Sequence, residues 1–261
     1  MTGKPSPSID FLGVPIAALD DREAASAIAA RPKDAPFAYV VTPNAQHLVG
    51  LARNVGVWRQ AYADAWLRLC DGRIVQRLAR LLFGLKLPFA SGSDLTLVLV
   101  RRHIAPDDAI AVIGGNEQLA DELRRQYGWR DFHLFNPPFG LLQDPAAQAE
   151  CLDFLARHPA RYVFFTVGSP QSEFLAHLAF RRGGLTGTGL CVGSSLFFAT
   201  GLVSRAPGWM SHLGIEALFR LGQRPRSHLR RIFVDSLPIV PLLIRARLTG
   251  ARILPGGDEP C

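Results

Sequence analysis

Short apolar runs alternate with longer segments of helical periodicity between residues 36 and 204. Each run precedes a helical segment: FAYVV and AQHLVGLARN, WLRLC and RIVQRLARLL, AIAVIGG and EQLADELRRQY, DFHLF and AQAECLDFLARH, RYVFFTVG and QSEFLAHLAFRR, with GTGLCVG closing the series. Such alternation is typical of a parallel sheet that helices cover on both faces. The pattern therefore predicts an α/β, Rossmann-like fold with a mostly parallel sheet.

The pattern changes after Gly201. The stretch RAPGWMSHLGIEALFRLGQRPRSHLRRIFVDSLP combines helical spacing with prolines and many arginines. It predicts a C-terminal α-helical, arginine-rich appendage, with Pro225 breaking a helix. We therefore expect an α/β core over residues 1–204 and a basic helical appendage over residues 205–261. The apolar positions of the appendage can pack on this core or on a second copy of the chain, so a homo-oligomer is left open.

The positive charge of the chain is concentrated in the appendage. The formal net charge is +7, and residues 205–252 hold nine arginines against Glu216 and Asp235, so the rest of the chain sums to zero. Arginine suits diphosphate oxygens, and arginines interleaved with apolar side chains suit an anionic membrane surface. A solvated basic face is the plain alternative. The candidate diphosphate-binding or membrane-binding residues are Arg205, Arg220, Arg230 and Arg231.

Several protein classes are disfavoured because their motifs are missing. The sequence has no GxGxxG after a strand, no GxxxxGK[ST], no GxSxG and no DxD, which argues against dehydrogenases, P-loop NTPases, serine hydrolases and metal-held nucleotide diphosphates. Its four cysteines form no CxxC pair, so neither a zinc site nor a disulfide framework is expected, and a reducing cytoplasm is the natural compartment. No apolar run is long enough to span a bilayer, and the N-terminus matches a signal peptide poorly.

Polar residues and glycines follow four of the predicted strands. In parallel sheets ligands bind beyond the carboxyl ends of the strands, so these residues could line one pocket. Each also has a structural interpretation, because TPN and SPQ are typical of helix starts, GGN of a tight turn, and Asp-Gly of turns in general. The candidates are Thr42, Asn44, Asp71, Gly114, Gly115 and Gln171.

A set of ordered motifs resembles the WecG/TagA/CpsF glycosyltransferases of bacterial surface polysaccharide synthesis. The resemblance runs from about residue 9 to about residue 250, and G-x-P-Q-x-E followed by G-x-x-x-RAP-x-W and G-x-E-x-x-x-R is its specific part. The motifs are TPN (42–44), DG (71–72), GSDL (92–95), GSPQSE (168–173), VGSSLFFATGLVSRAPGW (192–209) and GIEALFRL (214–221).

The resemblance implies an inverting transferase that moves a sugar, typically N-acetylmannosamine, from a UDP donor to a sugar on a membrane-bound polyprenyl diphosphate. By resemblance Asp71 is the general base, Thr42 and Asn44 bind substrate, and Gln171 is the glutamine of the pocket. Arg220 and Arg230 fall on arginines thought to close over the diphosphate.

The chemistry of transfer agrees with these roles. A positioned carboxylate that takes the proton of an acceptor hydroxyl typically contributes about 10²–10⁴-fold in rate. Inversion needs one displacement and hence one base, and arginines or helix-start amides can stabilise a leaving UDP without a metal. We therefore expect no metal and no cofactor beyond the UDP-sugar substrate.

The chain also departs from the family pattern. Phe89 stands where the family usually has arginine, Phe197 where it often has aspartate, and Ser227 at a further C-terminal arginine position. The change at Phe89 removes a cation from the expected pocket, so the donor or the acceptor can differ from those of N-acetylmannosamine transfer.

Three alternatives to this hypothesis are left open. One is a xanthan-type glucosyltransferase that differs in using UDP-glucose. Another is a non-catalytic binder of anionic lipid or nucleic acid, although no nucleic-acid module is found, so no nucleic-acid partner is expected. The third is an inactive scaffold. The expected location of the transferase is the cytoplasm, at the inner face of the cell membrane.

Overall fold

The structure is a computed structural model that describes residues 7–53, 56–204 and 231–254. The described chain begins with a hairpin, in which β1 (Ser8–Phe11) pairs antiparallel with β2 (Val14–Ala17). Leu12 and Gly13 form its turn with φ of 57° and 88°, as a two-residue hairpin turn requires. A side chain at Gly13 would collide with the carbonyl of Leu254, so the glycine also lets the C-terminal segment approach.

The six apolar runs of the repeating pattern form one parallel sheet. Its strand order is β4-β3-β8-β7-β5-β6, which places the last of the described strands between β3 and β7. The strands are β3 (Ala38–Val41), β4 (Leu67–Arg68), β5 (Ile110–Ile113), β6 (Phe132–Phe135), β7 (Tyr162–Phe165) and β8 (Thr188–Cys191).

The final residues of the strands lie in register with one another. Val41 is opposite Cys191, Cys191 is opposite Phe165, and Phe165 is opposite Ile113. The residues that follow the strands therefore share one edge of the sheet, which we call the carboxyl rim.

Ten helices connect or follow the strands within the described residues. They are α1 (Asp21–Ala29), α2 (Ala45–Ala52), α3 (Gly56–Ala63), α4 (Arg73–Phe83), α5 (Gly92–Arg102), α6 (Glu117–Tyr127), α7 (Pro145–Arg157), α8 (Gln171–Arg182), α9 (Ser195–Ala199) and α10 (Ile239–Thr249). A 3₁₀ turn at Leu141–Gln143 precedes α7, and a π-helical turn at Arg231–Ser236 precedes α10.

Two apolar layers sandwich the sheet. Tyr39 and Val41 of β3 face a layer that contains α2, α4, α7, α8, α10 and the hairpin, whereas Val40 faces a layer that contains α1, α5, α6 and α9. Because both faces of the strands are buried, the strands read as continuous apolar runs rather than alternating ones. The prediction of an α/β, Rossmann-like parallel sheet is confirmed.

The end of the described chain packs on the α/β core. Ile239 and Leu243 of α10 are buried in the layer of α2 and α4, and the amides of Ile253 and Leu254 bind the carbonyl of Leu12 in the hairpin. Residues 205–230 and 255–261 of the predicted appendage lie outside the described residues. The division at residues 204 and 205 stays a prediction.

Cys70, Cys151 and Cys191 are buried and free of disulfide bonds, and Cys261 lies outside the described residues. Burial raises the pKa of the Cys70 thiol to about 12 and that of Cys151 to about 12, so both stay protonated at neutral pH. Among the helices described, none is long and apolar enough to cross a membrane.

Candidate active site

Thr42, Asn44 and Asp71 come together where β3 and β4 end. The Leu69 amide donates to the Val41 carbonyl at 2.9 Å and the Asp71 amide to the Pro43 carbonyl at 3.0 Å, so the two exits run side by side. These two bonds extend the β3–β4 pairing past Val41 of β3 and Arg68 of β4. Asp71 is half-buried at this position.

Thr42 is buried between the exits of β3 and β8. Its hydroxyl Oγ1 donates to the Cys191 carbonyl at 3.3 Å. Gly92, the first residue of α5, lies against it, since a Cβ there would be 3.3 Å from Thr42 Oγ1 and 3.6 Å from Ser195 Oγ. Thr42 thus joins the ends of two neighbouring strands, and this structural role is compatible with substrate binding.

The carboxyl ends of β3 and β8 are the candidate position of a crevice. The chain leaves β3 to form α2 in one apolar layer, and leaves β8 to form α9 in the other layer. Ligands of open parallel sheets bind where neighbouring strands depart to opposite faces. The same change of face occurs at the other neighbouring pairs from β8 to β6, so the Thr42 and Cys191 contact is one of several candidate positions for a ligand.

Asn44 is the N-cap of α2. Its side-chain Oδ1 accepts from the amides of Gln46 at 3.0 Å and His47 at 3.3 Å. The helix-start interpretation of TPN is thus correct for Asn44. Capping uses the oxygen of the amide, and the Nδ2 donors are not used in these bonds.

His47 links this cap to a carboxyl group beneath the rim. His47 Nδ1 lies 3.2 Å from the Asn44 amide nitrogen and 3.2 Å from the Thr42 carbonyl oxygen. Its Nε2 lies 3.9 Å from Oε1 of Glu173 on α8. Sequence reasoning missed this pair, which joins the substrate-binding candidates of β3 to the helix that follows β7.

Glu173 is 2% exposed, and burial raises the pKa of its carboxyl group to about 7. The hydroxyls of Ser169 and Tyr62 lie beside it and partly offset this increase in pKa, although neither reaches full hydrogen-bond geometry. A sequence signal did exist, because Glu173 is spaced three and four residues from Ala176 and His177 on the buried face of α8.

Gln171 is half-buried at the first position of α8, directly beyond β7. Since β7 neighbours β8, Gln171 lies on the rim one strand beyond the crevice. Among the described residues its side chain makes no hydrogen bond.

Gly114 and Gly115 follow β5, which is three strands from β3 in the sheet. Strand spacing puts them about 14 Å from Thr42 along the rim. Both have φ of +98°, and a Cβ on Gly114 would lie 2.7 Å from Thr166 Oγ1. Backbone conformation and packing therefore account for these glycines, and a role in binding substrate stays a prediction.

Arg73, at the first position of α4, is a further group that sequence reasoning missed. Its guanidinium carbon Cζ lies 3.9 Å from the ring centroid of Phe89. A cation is thus present beside Phe89, although position 89 itself carries none.

The predicted basic residues of the appendage are mostly outside the described chain. Arg205, Arg220, Arg230 and Ser227 lie there, and Arg231 is described only as the first residue of the π-helical turn. That turn is held near α2, since Arg53 Nη2 donates to the Val234 carbonyl at 3.1 Å.

Phe197 packs at the margin of the apolar layer of α9. Among residues 7–53, 56–204 and 231–254, no group of three or more His, Cys, Asp and Glu side chains could hold a metal ion.

Comparison with known proteins gives one match that covers most of the chain. Residues 9–253 match the model of the glycosyl transferase WecG/TagA/CpsF family. A search of curated proteins finds no match. The matched range begins at the hairpin and ends at the segment that bonds to it, so it includes the whole carboxyl rim.

Proposed function

Because this chain belongs to the WecG/TagA/CpsF family of glycosyl transferases, we propose that it is an inverting, metal-independent, UDP-sugar-dependent hexosyltransferase. The family acts in the synthesis of cell-surface polysaccharides, and it implies a sugar-nucleotide donor and a lipid-linked acceptor in general. The proposed acceptor is a saccharide on a polyprenyl diphosphate. The proposed donor sugar is N-acetylmannosamine or another hexose.

The observation that carries this proposal is the position of Asp71. Its backbone N–H donates to the Pro43 carbonyl at 3.0 Å, which places residue 71 beside the segment of Thr42 and Asn44 at the ends of β3 and β4. In the proposed reaction Asp71 takes the proton of the acceptor hydroxyl as that oxygen attacks the anomeric carbon. The bond from that carbon to the diphosphate oxygen breaks, and UDP leaves from the opposite face.

The donor and acceptor contacts are assigned to the rest of the rim. Thr42, Asn44 and Gln171 would position the sugars, and Nδ2 of Asn44 is suited to donate to a sugar oxygen because capping uses only Oδ1. The leaving diphosphate is assigned to the arginines of the appendage, Arg205, Arg220, Arg230 and Arg231. Guanidinium groups stabilise developing phosphate charge without a metal.

We also assign a membrane-facing surface to α4 and α10, because a lipid-linked acceptor must be reached at the bilayer. Leu81 and Leu248 are about four-fifths exposed, at 79% and 80%. Exposed arginines stand beside them on the same two helices: Arg80 on α4, and Arg245 and Arg247 on α10. Apolar side chains among cations suit the boundary of an anionic bilayer. The location that follows is the cytoplasmic face of the cell membrane.

A second candidate differs in the donor. It is a xanthan-type transfer of glucose from UDP-glucose, kept as an alternative because Phe89 stands where the family usually has arginine.

The test is a panel of UDP-sugars given to the full chain with a short-chain polyprenyl diphosphate that carries one sugar. Mass spectrometry of the products reports the donor and the acceptor together. A product enlarged by one hexose or N-acetylhexosamine, formed at the same rate with and without EDTA, supports the proposal. Turnover that stops on chelation overturns the metal-independent mechanism. Absence of product and of UDP binding favours a non-catalytic lipid binder.

A further inference from the structure

Arg73 lies at the carboxyl rim beside the proposed base. It is the first residue of α4 and follows Gly72, at which a Cβ would lie 3.8 Å from the Cβ of Asn44. Gly72, between Asp71 and Arg73 in the chain, therefore lies against Asn44, and Arg73 begins α4 close to the candidate substrate-binding residues. Its side chain is half-buried there.

Phe89 holds the guanidinium group of Arg73 in place. Cζ of Arg73 lies 3.9 Å from the ring centroid. The ring is itself anchored next to Asp71, because the neighbouring Ala90 donates its amide to the Cys70 carbonyl at 3.1 Å. A guanidinium is planar and weakly hydrated, so an aromatic face restrains its orientation without using its N–H donors.

No described residue accepts a hydrogen bond from the N–H donors of Arg73. Arg73 Nε is buried without a hydrogen-bond partner, and no carboxylate of residues 7–53, 56–204 or 231–254 pairs with the guanidinium. Arg68 offers a contrast, since its Nε and Nη1 donate to four backbone carbonyls and hold the chain together. Arg73 is buried to a similar degree but has no such structural task.

The charge around Arg73 also favours an anion. Residues 72–90 contain three arginines and one lysine and no acidic residue, so the segment that follows Asp71 is basic. A buried donor without a partner is unfavourable until a ligand satisfies it. The guanidinium fork matches phosphate oxygens in particular.

We propose that Arg73, presented on the ring of Phe89, binds the diphosphate of a substrate at the rim beside Asp71. This inference rests on the proposed function and adds a binding residue from the α/β core to the arginines assigned in the appendage. A UDP donor and a prenyl diphosphate acceptor share this chemistry, and the experiment separates them.

The experiment is calorimetric titration of the purified full chain with UDP and, separately, with a short-chain prenyl diphosphate. The variants are Arg73→Met, which keeps the length of the side chain, and Phe89→Leu, which removes the aromatic face. Arg102→Met, at an exposed position in the last turn of α5, is the matched control. We expect Arg73→Met to weaken binding of one diphosphate by about tenfold or more, Phe89→Leu to weaken it less, and Arg102→Met to leave it unchanged.

The outcomes separate this inference from the proposed function. If wild type and Arg73→Met bind UDP equally well and bind the prenyl diphosphate equally well, the role of Arg73 is overturned. Since both proteins then bind UDP, the transferase proposal stays intact. Binding of the prenyl diphosphate alone, lost in Arg73→Met, supports Arg73 and removes UDP as donor. Binding of neither by wild type overturns both. If Arg73→Met does not fold, Arg73→Lys decides, since loss of the planar fork is expected to weaken binding at unchanged charge.

Discussion

The backbone amide of Asp71 donates a 3.0 Å hydrogen bond to the carbonyl of Pro43. Pro43 lies between Thr42 and Asn44, so one bond joins the candidate base to both candidate substrate-binding residues. Because the bond uses backbone atoms alone, the side chain of Asp71 can be changed without releasing the loop. This separation of scaffold from chemistry makes the site testable by conservative substitution.

Asp71→Asn tests the base directly. The variant keeps the size of the side chain and the backbone hydrogen bond to the Pro43 carbonyl, so we expect normal folding. It cannot accept the proton of the acceptor hydroxyl, so kcat should fall by about 10²–10⁴-fold. Turnover is measured with the donor and acceptor identified by mass spectrometry, and thermal melting checks the fold.

Asp121→Asn is the matched control for this change. Asp121 is exposed on α6, and its carboxylate is 3.8 Å from Arg124 at the surface. Its replacement should leave kcat unchanged. Turnover of Asp71→Asn within a factor of about two of wild type contradicts the general-base role, because a base typically contributes far more.

Much of the fold could be predicted because the strands are buried on both faces. Runs such as YVFF of β7 stand out as continuous apolar segments, and their alternation with helices indicates a parallel sheet. The rim followed from the same logic, since all the strands end at one edge. The grouping of Thr42, Asn44 and Asp71 needed only the adjacency of β3 and β4, which are also neighbours in the chain.

The parts that could not be predicted depend on strand order or on pairs of separate segments. His47 approaches Glu173 because α2 and α8 lie in the same apolar layer, where the insertion of β8 beside β3 lets α8 pack over both strands. No periodicity in the sequence reveals that insertion. Arg73 meets Phe89 because the segment after α4 turns back to bond at Cys70, and that return is set by tertiary packing.

Asn44 is expected to have two separable roles. Asn44→Ala removes the cap of α2 and should lower the free energy of unfolding by about 1 kcal/mol. Asn44→Asp keeps an acceptor oxygen for the amides of Gln46 and His47, so its free energy of unfolding should stay within about 0.3 kcal/mol of the wild-type value. The measurement is denaturant unfolding followed by steady-state kinetics.

If the Nδ2 group of Asn44 donates to substrate, both variants should raise KM or lower kcat/KM, because neither retains that donor. A fully active Asn44→Asp would contradict the binding role and leave Asn44 as a helix cap alone.

The membrane-facing surface of α4 and α10 predicts a loss of vesicle binding. The double variant Leu81→Glu and Leu248→Glu places acidic groups at two highly exposed apolar positions, so the folded state should be retained. Co-sedimentation with anionic vesicles at low salt should fall strongly, since both apolar insertion and charge attraction are reduced.

Phe139→Glu is the control for this surface. Phe139 is fully exposed but belongs to the loop before the 3₁₀ turn, away from α4 and α10. Its change should leave vesicle binding unaltered. Equal binding by wild type and the double variant contradicts the assignment of this surface.

Glu173 predicts a pH-dependent contribution to stability. Its carboxyl pKa is raised from the ordinary 4.5 to about 7 by burial, so the folded state holds the proton more tightly than the unfolded state does. The stability that this proton contributes is fully present below pH 4.5 and is lost as pH rises towards about 7. The difference between a pKa of 4.5 and one of about 7 corresponds to about 3 kcal/mol.

Glu173→Gln removes this ionisation while keeping the side chain's shape. The difference in free energy of unfolding, variant minus wild type, should therefore increase by about 3 kcal/mol between pH 4.5 and pH 8. Glu122→Gln is the control, because Glu122 is half-buried at the surface of α6 and its hydrogen bond with Arg125 holds its pKa below the usual value, which gives the opposite sign and a small effect in solvent. A difference for Glu173→Gln that does not change between pH 4.5 and pH 8 would mean that the Glu173 carboxyl ionises in the folded state near its ordinary pKa, which contradicts the predicted effect of burial.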